Sequence, residues 1–319
     1  MARRLVLATS AFGASIGLVI ACGSFATSSA DPDASASEGG QDAFAPDGPS
    51  MGPSDDALPP GCDTAKDFVD EGEIQTGHTG VESARLVSSD RVYFSAQPSG
   101  ASGTAKMFFA IYTAGTFTSE QAYFEGISWG ARDLHPFAFD SEKAVIFESN
   151  SSGSDKLYIV RRLESGVPFV GTSPTPVTVA NDPPFTDVEE PWLVDKTLYF
   201  SGTRQNLEDE LWFGTLEDTQ LKDVKRIQEL APDATGSFSV GHPVVTLDQR
   251  KIYFSRVVSA AEKSDIVVAE RPAPNSLFGP PKKLGVGAVN TNDHPTWISP
   301  DDCVLWYVTE GVLRRARRK

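Results

Sequence analysis

Short runs of alternating apolar and polar residues, rich in β-branched and aromatic side chains, return along this chain with a period of about 52 residues. Each unit opens on a strand start that ends in an acid: His135-Pro136-Phe137-Ala138-Phe139-Asp140, Glu190-Pro191-Trp192-Leu193-Val194-Asp195, His242-Pro243-Val244-Val245-Thr246-Leu247-Asp248 and His294-Pro295-Thr296-Trp297-Ile298-Ser299-Pro300-Asp301. A weaker first copy begins at Ser83-Ala84-Arg85-Leu86 and reaches Asp90. A second strand follows in every copy: Val92-Tyr93-Phe94-Ser95, Val145-Ile146-Phe147-Glu148-Ser149, Leu198-Tyr199-Phe200-Ser201, Ile252-Tyr253-Phe254-Ser255 and Val304-Leu305-Trp306-Tyr307. A third starts at Met107, Leu157, Leu211, Ile266 and Val312, and a weaker fourth is represented by Lys282-Lys283-Leu284-Gly285-Val286.

Four antiparallel strands at this period make one blade of a β-propeller. A lone blade cannot cover both of its faces, so the ring must close. The prediction is an all-β, five-bladed propeller over residues 62–319. Its last copy stops after the third strand, near Ala316, while Phe68-Val69 to Gly80 resembles the connector Phe278-Gly279-Pro280 to Asn292. The N-terminal strand is therefore expected to complete the last blade. A sixth, degenerate blade within Gly166–Asp187 would break the spacing.

The first residues have a different character. Arg3 and Arg4 precede an apolar stretch, Leu5 to Ile20, too short and too interrupted by Gly13 and Gly17 for a membrane span. Residues 22–61 are mostly Ser, Ala, Asp, Gly and Pro, a composition expected to stay unfolded and to act as a tether with a reach of roughly 30–37 Å. The net charge of −15 excludes nucleic acid as a partner, since that needs Lys and Arg to neutralise phosphates. Adhesion to anionic lipid by charge is excluded on the same ground. The basic run Arg314-Arg315-Ala316-Arg317-Arg318-Lys319 reads as a solvated strand end, with contact to an acidic partner as the alternative.

Two resemblances add to this reading. Leu18-Val19-Ile20-Ala21-Cys22-Gly23 resembles the lipobox of bacterial lipoproteins, which implies a signal peptide over residues 1–21, lipid on Cys22 and a membrane anchor. Gly23 rather than Asp after the cysteine implies the outer membrane of the cell envelope. The His/Glu-Pro strand start, the Leu-Asp or Ser-Pro-Asp turn and the Tyr-Phe-Ser strand resemble the WD40-like repeats of TolB-type β-propellers over residues 82–316. That resemblance is specific for fold and implies a protein-binding platform or accessory factor as readily as a catalyst.

With Cys22 assigned to lipid, Cys62 and Cys303 remain. An even pair in an exported protein is a disulfide candidate, and closure of the ring would set Cys62 beside the blade carrying Cys303. Two free thiols are the alternative.

His135, His242 and His294 share one repeat position, and Glu190 fills it in the third copy. Such a set at the mouth of the channel can hold one divalent transition metal. The competing explanation is that each side chain satisfies backbone groups at its own blade junction, with no cofactor. Asp133, Glu189, Glu190 and Asp293 lie near the same mouth and supply carboxylates for glycoside chemistry, which needs a facing pair. Gly48-Pro49-Ser50-Met51-Gly52 and Gly126-Ile127-Ser128-Trp129-Gly130 match the Gly-x-Ser-x-Gly spacing, but neither is followed by the helical pattern that a nucleophile elbow needs, and no phosphate-cradling Gly-rich loop precedes a helix. Trp192, Trp212, Trp297 and Trp306 are expected in the blade core. The expected function is a monomeric, non-catalytic platform for a protein or glycan ligand; the alternative is a carbohydrate-active lyase or glycoside hydrolase, metal-dependent or not, with its site at the mouth of the central channel.

Overall fold

The computed structural model describes residues 61–98, 105–121, 124, 127, 132–179, 185–204, 208–231, 239–257, 263–287 and 290–319. Cys22, the signal-like stretch and the linker up to residue 60 lie outside them. The described residues build five antiparallel sheets and one short 3-10 turn, Gln228–Leu230. Blade 1 comprises Thr79–Leu86, Arg91–Gln97, Lys106–Thr113 and Thr116–Gln121. Blade 2 comprises Asp133–Phe139, Ala144–Ser149, Lys156–Arg161 and Thr175–Pro176. Blade 3 runs Phe185–Val194, Thr197–Arg204, Asp209–Glu217 and Gln220–Arg226. Blade 4 is Ser239–Val245, Lys251–Val257, Asp265–Glu270 and Lys282–Lys283. Blade 5 takes Asp293–Ile298, Val304–Thr309 and Val312–Arg318 from the C-terminal end, and Phe68–Glu73 from the N-terminal side.

The five-bladed propeller is thus as expected, including closure of the last blade by the N-terminal strand. Phe68 pairs with Arg318 and Glu73 with Arg314. One blade departs from four strands. Thr178–Val179 adds in parallel to the outer edge of blade 3, because the connection leaving blade 2 runs along that edge before it turns inward. The described residues of the Gly166–Asp187 stretch therefore serve two existing blades and form no sixth among themselves.

The second strand of each blade is the most deeply buried. Tyr93, Phe94, Ile146, Phe147, Tyr199, Phe200, Tyr253, Phe254, Trp306 and Tyr307 are all essentially inaccessible. Burying an aromatic or aliphatic side chain of this size contributes roughly 1.5–3 kcal/mol. Trp192, Trp212, Trp297 and Trp306 are buried too, in line with the core role expected of them.

Neighbouring blades are pinned by a polar clamp that repeats at three junctions. In each, the second-strand Tyr of one blade donates to a turn residue of the next: Tyr93 to Glu142 at 2.9 Å, Tyr199 to Gln249 at 2.9 Å, and Tyr253 to Asp302. An arginine from that next blade donates back to the same hydroxyl: Arg162 at 3.2 Å, Arg271 at 3.0 Å and Arg318 at 2.8 Å. Each guanidinium also covers a phenylalanine, Phe169 at 4.4 Å, Phe278 at 4.3 Å and Phe68 at 4.0 Å. Phe68 and Phe278 therefore do the same job, which explains the likeness of the two segments that contain them.

The seam carries two further ties. Cys62 and Cys303 are joined as a disulfide, with their Cα atoms 5.6 Å apart. The basic run at the chain's end is not simply solvated. Arg314 pairs with Asp70, while Arg315 and Arg317 reach the two oxygens of Glu71 at 2.7 and 3.2 Å. The acidic partner of that run is the chain's own closing strand.

Candidate functional site

Pro136, Pro191 and Pro243 each sit in an innermost strand, where a proline interrupts the ladder and is tolerated at a bulge. The register breaks there as required, between Leu134 and Phe137, Glu189 and Trp192, and Gly241 and Val244. The residue before each proline takes a left-handed backbone: φ is +52° at His135, +57° at Glu190 and +55° at His242. This is an uncommon state for non-glycine residues, and more so before proline. It turns each backbone N–H toward the preceding blade. The His135 amide donates to Ser95 Oγ at 3.3 Å, the Glu190 amide to Glu148 Oε2 at 3.3 Å, and the His242 amide to Glu190 Oε2.

The same bulge sends the three side chains to one place. Ligand-type atoms of His135, Glu190 and His242 all lie within 4.8 Å of one another. The fourth expected member, His294, joins them only in part. Its ring stacks on that of His242 with centroids 4.0 Å apart, but its Nε2 is engaged by the backbone carbonyl of Glu82 at 2.8 Å. In blade 5 the register breaks one step later, between Pro295 and Trp297, so His294 is outside the bulge and its side chain takes another course.

Hydrogen bonds fix each member. His135 Nδ1 lies 2.9 Å from Glu148 Oε2, and His242 Nδ1 lies 3.0 Å from Ser255 Oγ. Glu190 Oε2 accepts from the Ser201 hydroxyl and the His242 amide, while Oε1 faces His242 Nε2 at 2.9 Å. Arg85 reaches into the same region from blade 1. Its Nη1 donates to the Pro191 carbonyl at 2.6 Å, between the rings of Phe137 and Trp192. Burial pushes its pKa down to about 9, against the pull of Glu190.

Beside this cluster a second one gathers around Arg132. Its Nη2 is 2.8 Å from Asp155, 3.1 Å from Glu148 and 3.7 Å from Glu189. Glu148, buried in the slot that holds Ser in blades 1, 3 and 4, links the two clusters.

These surroundings push titrations in opposite directions. Burial and the charges of Glu148 and Glu190 raise the Glu189 carboxyl far above the ordinary carboxylate range. Burial also acts to raise Glu190, but the His242 and His135 imidazoles and the Ser201 hydrogen bond prevail and hold it well below. Burial opposes charge on His135, yet Glu148 beside it raises its pKa. His294 is lowered by burial and by His242.

Of the other expected carboxylates, Asp133 lies 3.7 Å from Lys106, and Asp293 accepts from Thr309 and Thr291 at 2.7 and 3.0 Å. Neither joins the two clusters. Glu148, Arg132 and Arg85 were missed by sequence reasoning. The one signal was Glu148 itself, an acid where the other copies carry Ser.

No protein-family model matches this chain, and no curated protein matches it. Solved structures do. One is TolB from Acinetobacter baumannii, at 12% identity over 76% of this chain and 55% of that one, with a TM-score of 0.45. Another is a putative TolB from Agrobacterium tumefaciens, at 14% identity over 72% of this chain and 71% of that one, with a TM-score of 0.43. A third is β-1,2-mannobiose phosphorylase from Listeria innocua in complex with β-1,2-mannobiose, at 11% identity over 70% and 69%, with a TM-score of 0.50. The chain thus spans only 55% of the length of the Acinetobacter protein. At such identities the likeness is one of fold alone.

Proposed function

We propose that this chain is a non-catalytic binding propeller, tethered to a bacterial cell envelope through lipid on Cys22 and presenting a rigid face to a protein or glycan ligand. The observation that carries the reading is where the polar groups at the ring's centre are used. Glu190, His242, Glu148 and the backbone amides of His135, Glu190 and His242 bond from blade to blade or strand to strand. Together with the clamps and the closing strand, they support a pre-organised ring. Pre-organisation is what a binding surface gains from, because less freedom is lost when a partner docks. No helix among the described residues is long and apolar enough to cross a membrane. Attachment through lipid and a flexible tether agrees with the sequence of residues 1–61, and an outer-membrane address is part of this proposal.

Metabolic labelling with an alkyne fatty acid tests the anchor, since labelling should be lost in Cys22→Ser. Crosslinking from the intact envelope tests the platform. The same partner should be captured by wild type and by a soluble Cys22→Ser form presented with envelope extract. Recovery of no partner by either form would count against the platform.

One observation favours a second reading, a carbohydrate-active lyase or hydrolase. Glu189 and Glu190 are adjacent carboxyls whose environments drive their titrations apart, the pattern of an acid and its partner. Turnover of a polysaccharide that disappears in Glu189→Gln would establish that reading over the first.

A further inference from the structure

We infer that His135, Glu190 and His242 form a binding site for one divalent transition metal of the zinc type. The inference is independent of whether the ring's outer face is a platform. It rests on which atoms are already used and which one is not. His135 is only 5% exposed, and its Nε2 is a buried nitrogen with no hydrogen-bond partner. A buried polar atom of this kind ordinarily costs stability, and a ligand is one explanation for its persistence.

The surrounding bonds leave one ligating atom of each residue for the site. Nδ1 of His135 is held by Glu148, so the ring's remaining ligating atom is Nε2. Nδ1 of His242 is held by Ser255, which leaves Nε2 on the Glu190 side. Oε2 of Glu190 receives two donors, which leaves Oε1 for the site. A carboxylate or hydroxyl behind each ligand is how metal-binding histidines are oriented. For an ion to bind Nε2, the His242 ring must keep its one proton on Nδ1, toward Ser255 Oγ; a proton on Nε2 moves there through solvent, or leaves to solvent if the ring carries both.

Zinc bonds of ~2.0–2.1 Å in tetrahedral geometry place ligand atoms roughly 3.3 Å apart. The observed span of no more than 4.8 Å is within reach of small side-chain rotations. Two imidazoles and a carboxylate suit zinc and its neighbours better than calcium or magnesium, which favour oxygen. Three protein ligands leave the fourth position open. His242, with 24% of its side chain accessible, lies on the side from which an ion or an added ligand can enter. The nearby Glu148, Asp155 and Glu189 group is not the site, because Arg132 already supplies its cation.

The test uses the full chain, stripped with chelator and titrated with Zn²⁺ against a chromophoric competitor, and in parallel with Co²⁺. One equivalent of zinc should bind, and Co²⁺ should give the intense visible absorption of four- or five-coordination. His135→Ala should weaken zinc by about 100-fold or more. A weak six-coordinate cobalt spectrum, no saturable zinc, or affinity unchanged in His135→Ala would each overturn the proposal. The wild-type cobalt spectrum decides the matter even if that variant does not fold.

Discussion

The guanidinium of Arg318 lies over the ring of Phe68, 4.0 Å from its centroid, so residues from the two sides of the seam are stacked on each other. The same guanidinium donates to Tyr253 Oη at 2.8 Å and to the Asp302 carbonyl at 2.9 Å, joining blade 4 to blade 5. Arg318→Ala removes these bonds together and leaves the buried Tyr253–Asp302 pair short of a donor. Breaking one partner from such a buried group costs about 3–5 kcal/mol. Lys251, 2.7 Å from Asp302, offsets part of this, so a loss of about 3 kcal/mol is expected. Urea denaturation checks it. Arg318→Lys should recover less than half, since an ammonium keeps the charge without the planar fork.

The clamp also shows how far the sequence could be read. Arg162 and Phe169 have the same spacing as Arg271 and Phe278, so the pattern was present in two copies. Its third copy, Arg318 with Phe68, is split across the ring closure and has no spacing to find. The strands, the closing segment and the Cys62–Cys303 proximity were legible because periodicity and closure follow from burial alone. The candidate site was legible only in part. His135, Glu190 and His242 come together because a bulge straddles each residue-proline pair, but His294 carries the same letters beside a bulge displaced by one residue. A shift of one position redirects a strand side chain, and composition does not report it. Glu148 and Arg132 stayed hidden because an isolated charge in a strand or loop reads as an exposed one.

Disulfide removal should loosen the seam. The bridge closes a loop with a sequence separation of 241 residues, and the chain-entropy account gives up to about 5 kcal/mol for a loop of that order. Cys62→Ser/Cys303→Ser is expected to lose about 2–5 kcal/mol in urea denaturation. A reductant should lower the midpoint of wild type toward that of the double variant and leave the variant where it is. Equal midpoints for oxidised wild type and variant would show that the bridge does not stabilise the ring.

Asp70 gives the same seam a pH signature. Burial acts to raise its carboxyl, but hydrogen bonds from Arg314 and the Gly72 amide prevail and lower its pKa. A lowered folded-state pKa stabilises the fold above the unfolded value of about 3.9, and that contribution is lost as pH falls through the folded value. With 37% of the Asp70 side chain exposed, solvent screening keeps the contribution to about 0.5 kcal/mol. Wild type and Asp70→Asn should therefore differ at pH 6 in low salt, and converge both in strong acid and in high salt. A difference that persists in acid would contradict the assignment.

Glu148 offers the sharpest separation between repeat consensus and local chemistry. Serine occupies its slot in blades 1, 3 and 4, so Glu148→Ser makes blade 2 more like its neighbours. Stability should nevertheless fall, because this carboxylate accepts from Arg132, from His135 Nδ1 and from the Glu190 amide. Arg132, with 44% of its side chain exposed, can turn to water and to Asp155 at little cost. The other two donors are buried, and each left unpaired costs ~1–3 kcal/mol. Glu148→Ala should thus lose about 3–5 kcal/mol. A serine in this slot meets the imidazole of its own blade in blade 4, where Ser255 lies 3.0 Å from His242 Nδ1, and the amide of the next blade in blade 1, where Ser95 accepts from His135 at 3.3 Å; one hydroxyl takes over only one of the two bonds that the longer carboxylate makes. Glu148→Ser is expected to recover roughly half of the alanine loss. Denaturant midpoints for the three proteins decide it: a serine variant as stable as wild type would show that the repeat consensus, not the carboxylate, holds blades 2 and 3 together.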